Sequence, residues 1–239
     1  MKIDTIHSLG SRCQTSEILR KYKYREFSGF FDFINTHKID TLNHILENQF
    51  EELLKKDNNI TLTCYQEILD PETQQTLKIS NRTSNKFYNL NPYNIHECIF
   101  PHHDLNSEKD YNHFIECKKR FKKLKNFNVL LNYSFNKWEN DITLNQINKT
   151  IEIIQKIYQF KNFKICFIGI EYSNESRYQK IYENNLYDIW ILNIKSQPYT
   201  GGLFVNEIDN ENYINIIKTY DISDQRISKN EIDNINYEF

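Results

Sequence analysis

The stretch FKICFIGI, residues 163–170, decides the fold of this chain. It is apolar at almost every position, whereas a strand with one face in solvent alternates apolar and polar residues. A near-continuous apolar run of this length is typical of a strand buried on both faces, as in parallel sheets that are covered by helices. The run therefore predicts an interior strand of an α/β protein.

The segments around this strand continue the pattern of alternating strands and helices. FNVLLNYS (127–134) and LYDIWILNI (186–194) are further strand-like runs, and KIDTIHS (2–8) alternates as a short strand does. Thr143 and Gln146 have the spacing of a capping box before an amphipathic helix. This order predicts an α/β fold with a mostly parallel sheet covered by helices.

Other segments have less regular patterns. Helical spacing of apolar residues predicts helices over 13–22, over 39–54 and after a capping box at 107–110. FSGFFDFI (27–34) predicts a turn or short strand in the core, and ECIFPHHDL (97–105) predicts a strand that ends before its histidines.

The length of 239 residues suits a single domain, 1–239, with its own core. Residues 57–95 are polar and broken by Pro71 and Pro92, so they predict an irregular insertion with short strands. Residues 221–239 predict a polar tail that forms either a fraying helix or coil.

Charge and hydropathy limit the classes of partner. Lys and Arg number 30 against 32 Asp and Glu, for a net charge of −2, which argues against a nucleic-acid or anionic membrane surface. No apolar run approaches the roughly 20 residues of a membrane-spanning helix, and the first residues do not resemble a signal peptide. We therefore expect a cytoplasmic protein that binds no nucleic acid and is not inserted in a membrane.

The five cysteines are scattered and have no CxxC spacing: Cys13, Cys64, Cys98, Cys117 and Cys166. An odd number without paired spacing argues against a disulfide framework or a zinc site, so we expect reduced thiols and no cofactor or metal.

Cys13 differs from the other cysteines because it lies where a strand passes into a helix. The unpaired N–H groups and dipole of a first helical turn favour a thiolate. The same turn, with Gly10, Ser11 and Arg12 before the thiol, has backbone N–H groups that can hold an oxyanion. The alternative is that Cys13 is a small buried residue that fills the core.

A thiol nucleophile needs a base, and the segment FPHHDL supplies the candidates His102, His103 and Asp104. The alternatives are a polar loop in which Asp104 caps the next helix, or a metal hydrolase that uses all three side chains. Asp32 is a further candidate, since a carboxylate among phenylalanines needs a partner, either a charged side chain in the site or backbone N–H groups of a turn. His7 is close enough to Cys13 in sequence to support the site.

Three motifs together resemble a bacterial family of papain-like cysteine peptidases that has long been a domain of unknown function. The family reads S-L-G-S-x-C near its start, then S-x-P-F-D-W, then F-x-H-D before a basic helix. The matching residues are Ser8–Cys13, Ser28–Phe33 with Phe30 for proline and Phe33 for tryptophan, and His103-Asp104 followed by Tyr111 and Arg120-Phe121. The resemblance covers roughly residues 3 to 170 and is weak through 57–95.

The resemblance implies a papain-like pair in which Cys13 is the nucleophile and His103 is the base, oriented by Asp104 or Asp32. It implies a hydrolase or acyltransferase that forms a thioester on Cys13 and acts on a small-molecule, peptide or glycan-linked substrate. The alternative function is a non-catalytic module that binds a sugar or nucleotide-like ligand, with a link to surface polysaccharide biosynthesis. The sequence alone leaves these two functions open.

Overall fold

The computed structural model describes residues 1–10, 13–36, 38–67, 77–88, 98–137, 142–195 and 203–235. The strands in these ranges are β1 (Thr5–Ser8), β2 (Asn59–Glu67), β3 (Leu77–Asn85), β4 (Asn128–Asn136), β5 (Asn162–Tyr172), β6 (Arg177–Glu183) and β7 (Tyr187–Ile194). The helices are α1 (Gln14–Lys21), α2 (Ile39–Glu47), α3 (Glu51–Leu54), α4 (Glu108–Lys123), α5 (Leu144–Lys156), α6 (Glu207–Ile217) and α7 (Lys229–Asn234). Short 3-10 turns span Phe30–Phe33, Lys56–Asn58 and Leu124–Asn126.

The main sheet has the strand order β1-β4-β5-β7-β6. Strands β1, β4, β5 and β7 are parallel, and β6 is antiparallel at the edge beside β7. Strand β5 lies between β4 and β7 and contains the stretch 163–170, whose residues are almost all buried. The predicted α/β fold, a mostly parallel sheet covered by helices, is confirmed.

The side chains of the parallel strands alternate between two cores. On β4, Leu131 and Tyr133 belong to the core under α2, α4 and α5, while Leu130 belongs to the core under α1 and α6. Because successive residues of a strand point to opposite faces, an interior strand covered on both sides is buried along most of its length. The molecule therefore has three layers, with the sheet in the middle.

The long helices begin where the sequence predicted. The side chain of Ser107 accepts a hydrogen bond from the Asp110 N–H at the start of α4. Thr143 and Gln146 form a reciprocal capping box at the start of α5. Each cap satisfies N–H groups that have no partner within the helix, which is why these two starts could be predicted locally.

The prediction of one helix over 39–54 is wrong, because the chain leaves the helix between α2 and α3. Gln49 and Phe50 have positive φ angles of 52° and 70°, which non-glycine residues adopt at a cost. The Phe50 side chain is fully buried, with its ring centroid 4.0 Å from that of Phe30. This burial offsets the strained backbone. The segment 27–34, predicted as a turn or short strand, contains a 3-10 turn.

The strand that was predicted to run from residue 97 to Pro101 is also wrong for the described residues 98–101. Phe100 alone makes an isolated bridge, to Thr83 of β3. Pro101 follows at once and has no N–H group to extend the pairing. The histidines therefore follow a loop that crosses the β2–β3 hairpin, rather than a strand of the main sheet.

Two further segments have more order than their composition suggests. The described part of 57–95 is dominated by the β2–β3 hairpin, in which each strand has nine residues. In the tail, Ile232 of α7 is fully buried, and Asp233 pairs with Arg120 of α4. None of the helices in the described ranges has the length and hydropathy needed to cross a membrane.

Candidate active site

The loop from β1 to α1 places Cys13 at the carboxyl edge of the parallel strands. Gly10 has a φ of +92° and its N–H donates to Ser8 Oγ at 3.0 Å. A Cβ atom at this position would lie 3.0 Å from Thr36 Cγ2, so both the backbone angle and the close approach of Thr36 favour glycine. Cys13 follows this turn and occupies the N-cap position of α1. Ser11 and Arg12, the other two predicted oxyanion residues, lie outside the described residues.

The first turn of α1 is tied to the 3-10 turn that contains Asp32. The Ser16 hydroxyl lies 2.7 Å from the carbonyl oxygens of both Cys13 and Asp32 and donates to them. The Glu17 N–H also donates to the Cys13 carbonyl, at 3.0 Å. The backbone of Cys13 is thus fixed from two sides, which favours a defined position for its thiol.

The environment of Cys13 differs from that of the other cysteines whose side chains are described. Cys13 is partly exposed, whereas Cys98, Cys117 and Cys166 are buried. Burial raises the pKa of Cys117 and of Cys166 to about 12. A thiol must be accessible and able to ionise to act as a nucleophile, and the latter two are poor candidates on both counts.

The segment 32–36 lies between the Cys13 loop and the histidine loop. On one side, a Cβ atom on Gly10 would be 3.5 Å from the Ile34 carbonyl oxygen. On the other side, the Asn35 N–H donates to the Ile99 carbonyl at 2.9 Å. The three sequence motifs are therefore neighbours in space, with the Asp32 motif in the middle.

His103 lies in an aromatic setting and faces a carboxylate. Its ring centroid is 5.2 Å from both Phe33 and Phe114, which meet it edge to face, and 5.9 Å from the stacked ring of His113. Its Nδ1 atom is 3.4 Å from Asp110 Oδ1, and the His103 side chain is 20% exposed. The ring is thus held on several sides while part of it is accessible.

Asp104 faces away from His103, toward the hairpin. Its carboxylate accepts hydrogen bonds from the Thr61 hydroxyl at 2.7 Å and from the Asn106 N–H at 3.1 Å, and Asn81 lies at 3.4 Å. Adjacent side chains in a loop diverge, and here Asp104 fastens the loop to β2 and β3. The carboxylate on the imidazole belongs to Asp110, which also accepts the Asp104 N–H at 2.8 Å.

Asp32 is buried and forms an ion pair with Arg25. Its Oδ2 also accepts the Gly29 N–H at 2.8 Å, so it both pairs with an arginine and closes the 3-10 turn. Burial raises the pKa of Asp32 to about 6, although Arg25 and the Gly29 N–H act to lower it. The ring of its neighbour Phe33 lies between two partners. Its centroid is 5.8 Å from the Arg25 Cζ atom, and the ring also contacts that of His103. The carboxylate thus reaches His103 only through other side chains.

The remaining two histidines near the site have different environments. His7 is buried against Phe27, with Nε2 3.0 Å from the Thr5 hydroxyl, and burial together with Arg25 lowers its pKa to about 3. His102 lies at the surface, and its pKa is lowered by the desolvation of its ring, by Arg82 and by His103, with Glu17 of α1 acting in the opposite direction. His7 therefore remains neutral near pH 7 inside the core.

In the described ranges, no group of three or more His, Cys, Asp and Glu side chains is arranged to hold a metal ion. A cavity of about 230 Å³ opens at the carboxyl end of β4, on the face covered by α2 and α5, and is lined by Lys38, Tyr133 and Gln146 among others. Neither Cys13 nor His103 lines it.

Sequence reasoning missed Asp110 as the partner of His103 and Arg25 as the partner of Asp32. The capping pattern at 107–110 did single out Asp110, but only for its N–H, since a cap is a local feature. Its carboxylate meets His103 because the first turn of α4 folds back over the loop.

Fold and site together define a class: an α/β protein in which an accessible cysteine begins the helix after a parallel strand and a histidine–carboxylate pair follows on a neighbouring loop. The chain belongs to the family described as "Putative papain-like cysteine peptidase (DUF1796)", whose model matches residues 4–169. The match runs from β1 to β5 and includes Cys13, Asp32 and His103. No curated protein and no solved structure matches the chain.

Proposed function

We propose that this protein is an enzyme of acyl transfer, a hydrolase or an acyltransferase, that forms a thioester on Cys13. The observation that carries the proposal is the exposure of the thiols: among the cysteines whose side chains are described, Cys13 alone is partly exposed. It is also at the start of α1, where N–H groups without helical partners stabilise negative charge.

His103 is the proposed base. Asp110 lies against Nδ1, which favours the tautomer that keeps the proton on Nδ1 and leaves Nε2 to accept one from the thiol. Asp110 takes the orienting role that the resemblance gave to Asp104 or Asp32. In this proposal Asp32 acts as a positioning residue, because it fixes Arg25 and Gly29 behind Phe33.

The chemistry is a two-step displacement. The Cys13 thiol passes its proton to His103 and its sulfur attacks the acyl carbon, giving a tetrahedral oxyanion that backbone N–H groups at the start of α1 stabilise. The leaving group takes the proton from His103 and departs, which leaves a thioester. Water or an acceptor hydroxyl then gives a proton to His103, attacks the thioester and releases the free thiol.

The substrate class that this chemistry serves is an acyl compound: a small molecule, a peptide or a glycan-linked ester or amide. The described cysteines form no disulfide with one another, and this supports the proposal of a reducing, cytoplasmic site of action.

The test uses p-nitrophenyl acetate, an active ester that reports thioester formation without knowledge of the natural substrate. We expect a burst of p-nitrophenolate and an acetyl group on the peptide that contains Cys13, detected by mass spectrometry. Both signals should vanish in Cys13→Ala and persist in Cys117→Ala, the matched control with a buried thiol.

Acetylation spread over lysines, or an equal burst in Cys13→Ala, would contradict the proposal. That outcome would favour the non-catalytic binding module, in which Cys13 only packs.

A further inference from the structure

Two buried side-chain amides at the carboxyl edge of the sheet have no hydrogen-bond partner among the described residues. They are Nε2 of Gln14 and Nδ2 of Asn136, in residues that are 4% and 5% exposed. Buried polar groups are nearly always paired, and leaving a donor unpaired costs free energy. An unpaired donor therefore indicates that a hydrogen-bond acceptor from outside the chain belongs there.

Gln14 begins α1 and Asn136 ends β4, and these two ends are in contact through their neighbours Thr15 and Ser134. Gln14 is the first residue of α1 and directly follows Cys13. The Thr15 hydroxyl is 2.6 Å from Ser134 Oγ, which fixes the start of α1 over β4. Asn136 is two residues beyond Ser134, on the same face of β4, so Gln14 and Asn136 occupy the next position outward on the two elements.

Thr15, Tyr213 and Asn132, which lie deeper between α1, α6 and β4, all have hydrogen-bond partners within the protein. Thr15 also bonds the hydroxyl of Tyr213 at 2.9 Å, Tyr213 donates to Asn132, and Asn132 donates to the Cys166 carbonyl at 3.2 Å. These buried side chains therefore need no hydrogen-bond partner from outside the protein. The two side-chain amides described above, by contrast, have donors without a partner among the described residues.

We propose that Gln14 and Asn136 form a subsite that binds a carbonyl or carboxylate oxygen of the molecule that reacts at Cys13. The chemical class follows from the donors: two neutral N–H groups require oxygen acceptors, and a carboxamide or a carboxylate presents them. The inference rests on the proposed function, because it takes the Cys13 sulfur as the reacting atom. It adds two side-chain hydrogen-bond donors to the backbone N–H groups at the start of α1.

The test compares alkylating reagents that differ in their acceptor oxygens. Iodoacetamide presents a carboxamide, iodoacetate a carboxylate and iodomethane no oxygen, and in each case the Cys13 sulfur displaces iodide to form an S–C bond. We expect Gln14→Met to lower the rate with one of the oxygen-bearing reagents by about threefold to tenfold relative to iodomethane, as for one lost hydrogen bond. The reagent that loses rate identifies the subsite as one for carboxamides or for carboxylates.

Asn136→Leu should have the same selective effect, and Gln155→Met, on the exposed side of α5, should have none. Thermal unfolding provides a second readout, since removing an unpaired buried donor should leave the melting temperature of Gln14→Met unchanged or higher. Equal rate ratios in the wild type and in Gln14→Met would overturn the subsite.

A wild-type Cys13 that resists all three reagents would refute the proposed function instead. In that case, nuclear magnetic resonance spectroscopy of Cys13→Ala tests whether the subsite binds an oxygen acceptor. Shifts of the Gln14 and Asn136 side-chain NH₂ signals on addition of acetamide or acetate would support it, and the absence of shifts with both would overturn it.

Discussion

Two regions of the molecule combine a cysteine with a histidine, and only one of them has the properties of a nucleophilic site. On α4, Cys117 Sγ is 3.6 Å from His113 Nε2 and 3.9 Å from Arg120 Nη1, yet the thiol is buried and its pKa is raised to about 12. At the start of α1, Cys13 is partly exposed.

The difference shows that contact with a histidine does not make a thiol reactive. Burial penalises the thiolate of Cys117 more than the cation of Arg120 favours it. Cys117 also lies 3.6 Å from the Ser28 carbonyl, so it packs α4 against the 27–34 segment. Cys13 combines exposure with helix-start N–H groups, which are the conditions that a nucleophile requires.

The largest expected effect is a difference in alkylation between the two thiols. In the native protein Cys13 should react with iodoacetamide at least about a hundredfold faster than Cys117, because the Cys117 thiol is inaccessible and protonated. Peptide mapping by mass spectrometry after timed quenching gives both rates. In guanidinium chloride, where both thiols are exposed, the two alkylation rates should converge. Comparable rates in the native protein would show that Cys13 and Cys117 do not differ in reactivity.

The next effect concerns His7, a histidine that is structural like Cys117. Its folded pKa of about 3 lies below the unfolded value of about 6.5, so below pH 6.5 the unfolded chain binds a proton that the folded chain does not. The contribution of neutral His7 to the free energy of unfolding is therefore fully present above pH 6.5. Below pH 6.5 it falls by about 1.4 kcal/mol per pH unit.

Urea unfolding of the wild type and of His7→Gln from pH 7.5 to 4.5 measures this effect. The difference between their free energies of unfolding should be constant above pH 7 and should change steadily below pH 6.5, in favour of the variant. A difference that does not vary with pH would show that His7 can be protonated in the folded state.

A smaller effect separates the two stacked histidines. His103→Gln should lower the alkylation rate of Cys13 at pH 7 by about tenfold, because the thiol loses the partner that accepts its proton. His113→Gln is the matched control, since its Nε2 atom lies 3.6 Å from Cys117 Sγ, whereas His103 is the histidine within ion-pair distance of Asp110. If His113→Gln had the larger effect on Cys13, the assignment of the base would be wrong.

The smallest effect distinguishes the two carboxylates near His103. Asp110→Asn should lower the alkylation rate of Cys13 by about threefold, as expected when a partly exposed contact that orients a base is weakened. Asp104→Asn should leave that rate unchanged, because Asp104 bonds Thr61 and the Asn106 N–H. The reverse result would return the orienting role to Asp104.

The sequence predicted the parts of the fold that depend on local pattern, and it failed where tertiary contacts override that pattern. Strand β6 was missed because its residues are almost all exposed, so no apolar face marks it. Helix α6 was missed because polar residues are buried on it: Asp209 accepts the Lys195 N–H, and Asn210 bonds the Phe204 backbone. The break at Phe50 depends on rings from distant segments.

By itself, the sequence determined that the chain is α/β, where α4 and α5 begin, and that Cys13 stands at the start of a helix, because strand burial and helix caps are set by residues close together in the chain. Only the tertiary structure decided that Asp110 faces His103, that Cys117 is buried beside a histidine, and that the amide nitrogens of Gln14 and Asn136 have no partner among the described residues. Burial and hydrogen bonding of this kind arise between residues far apart in sequence, and no local pattern encodes which of them will meet.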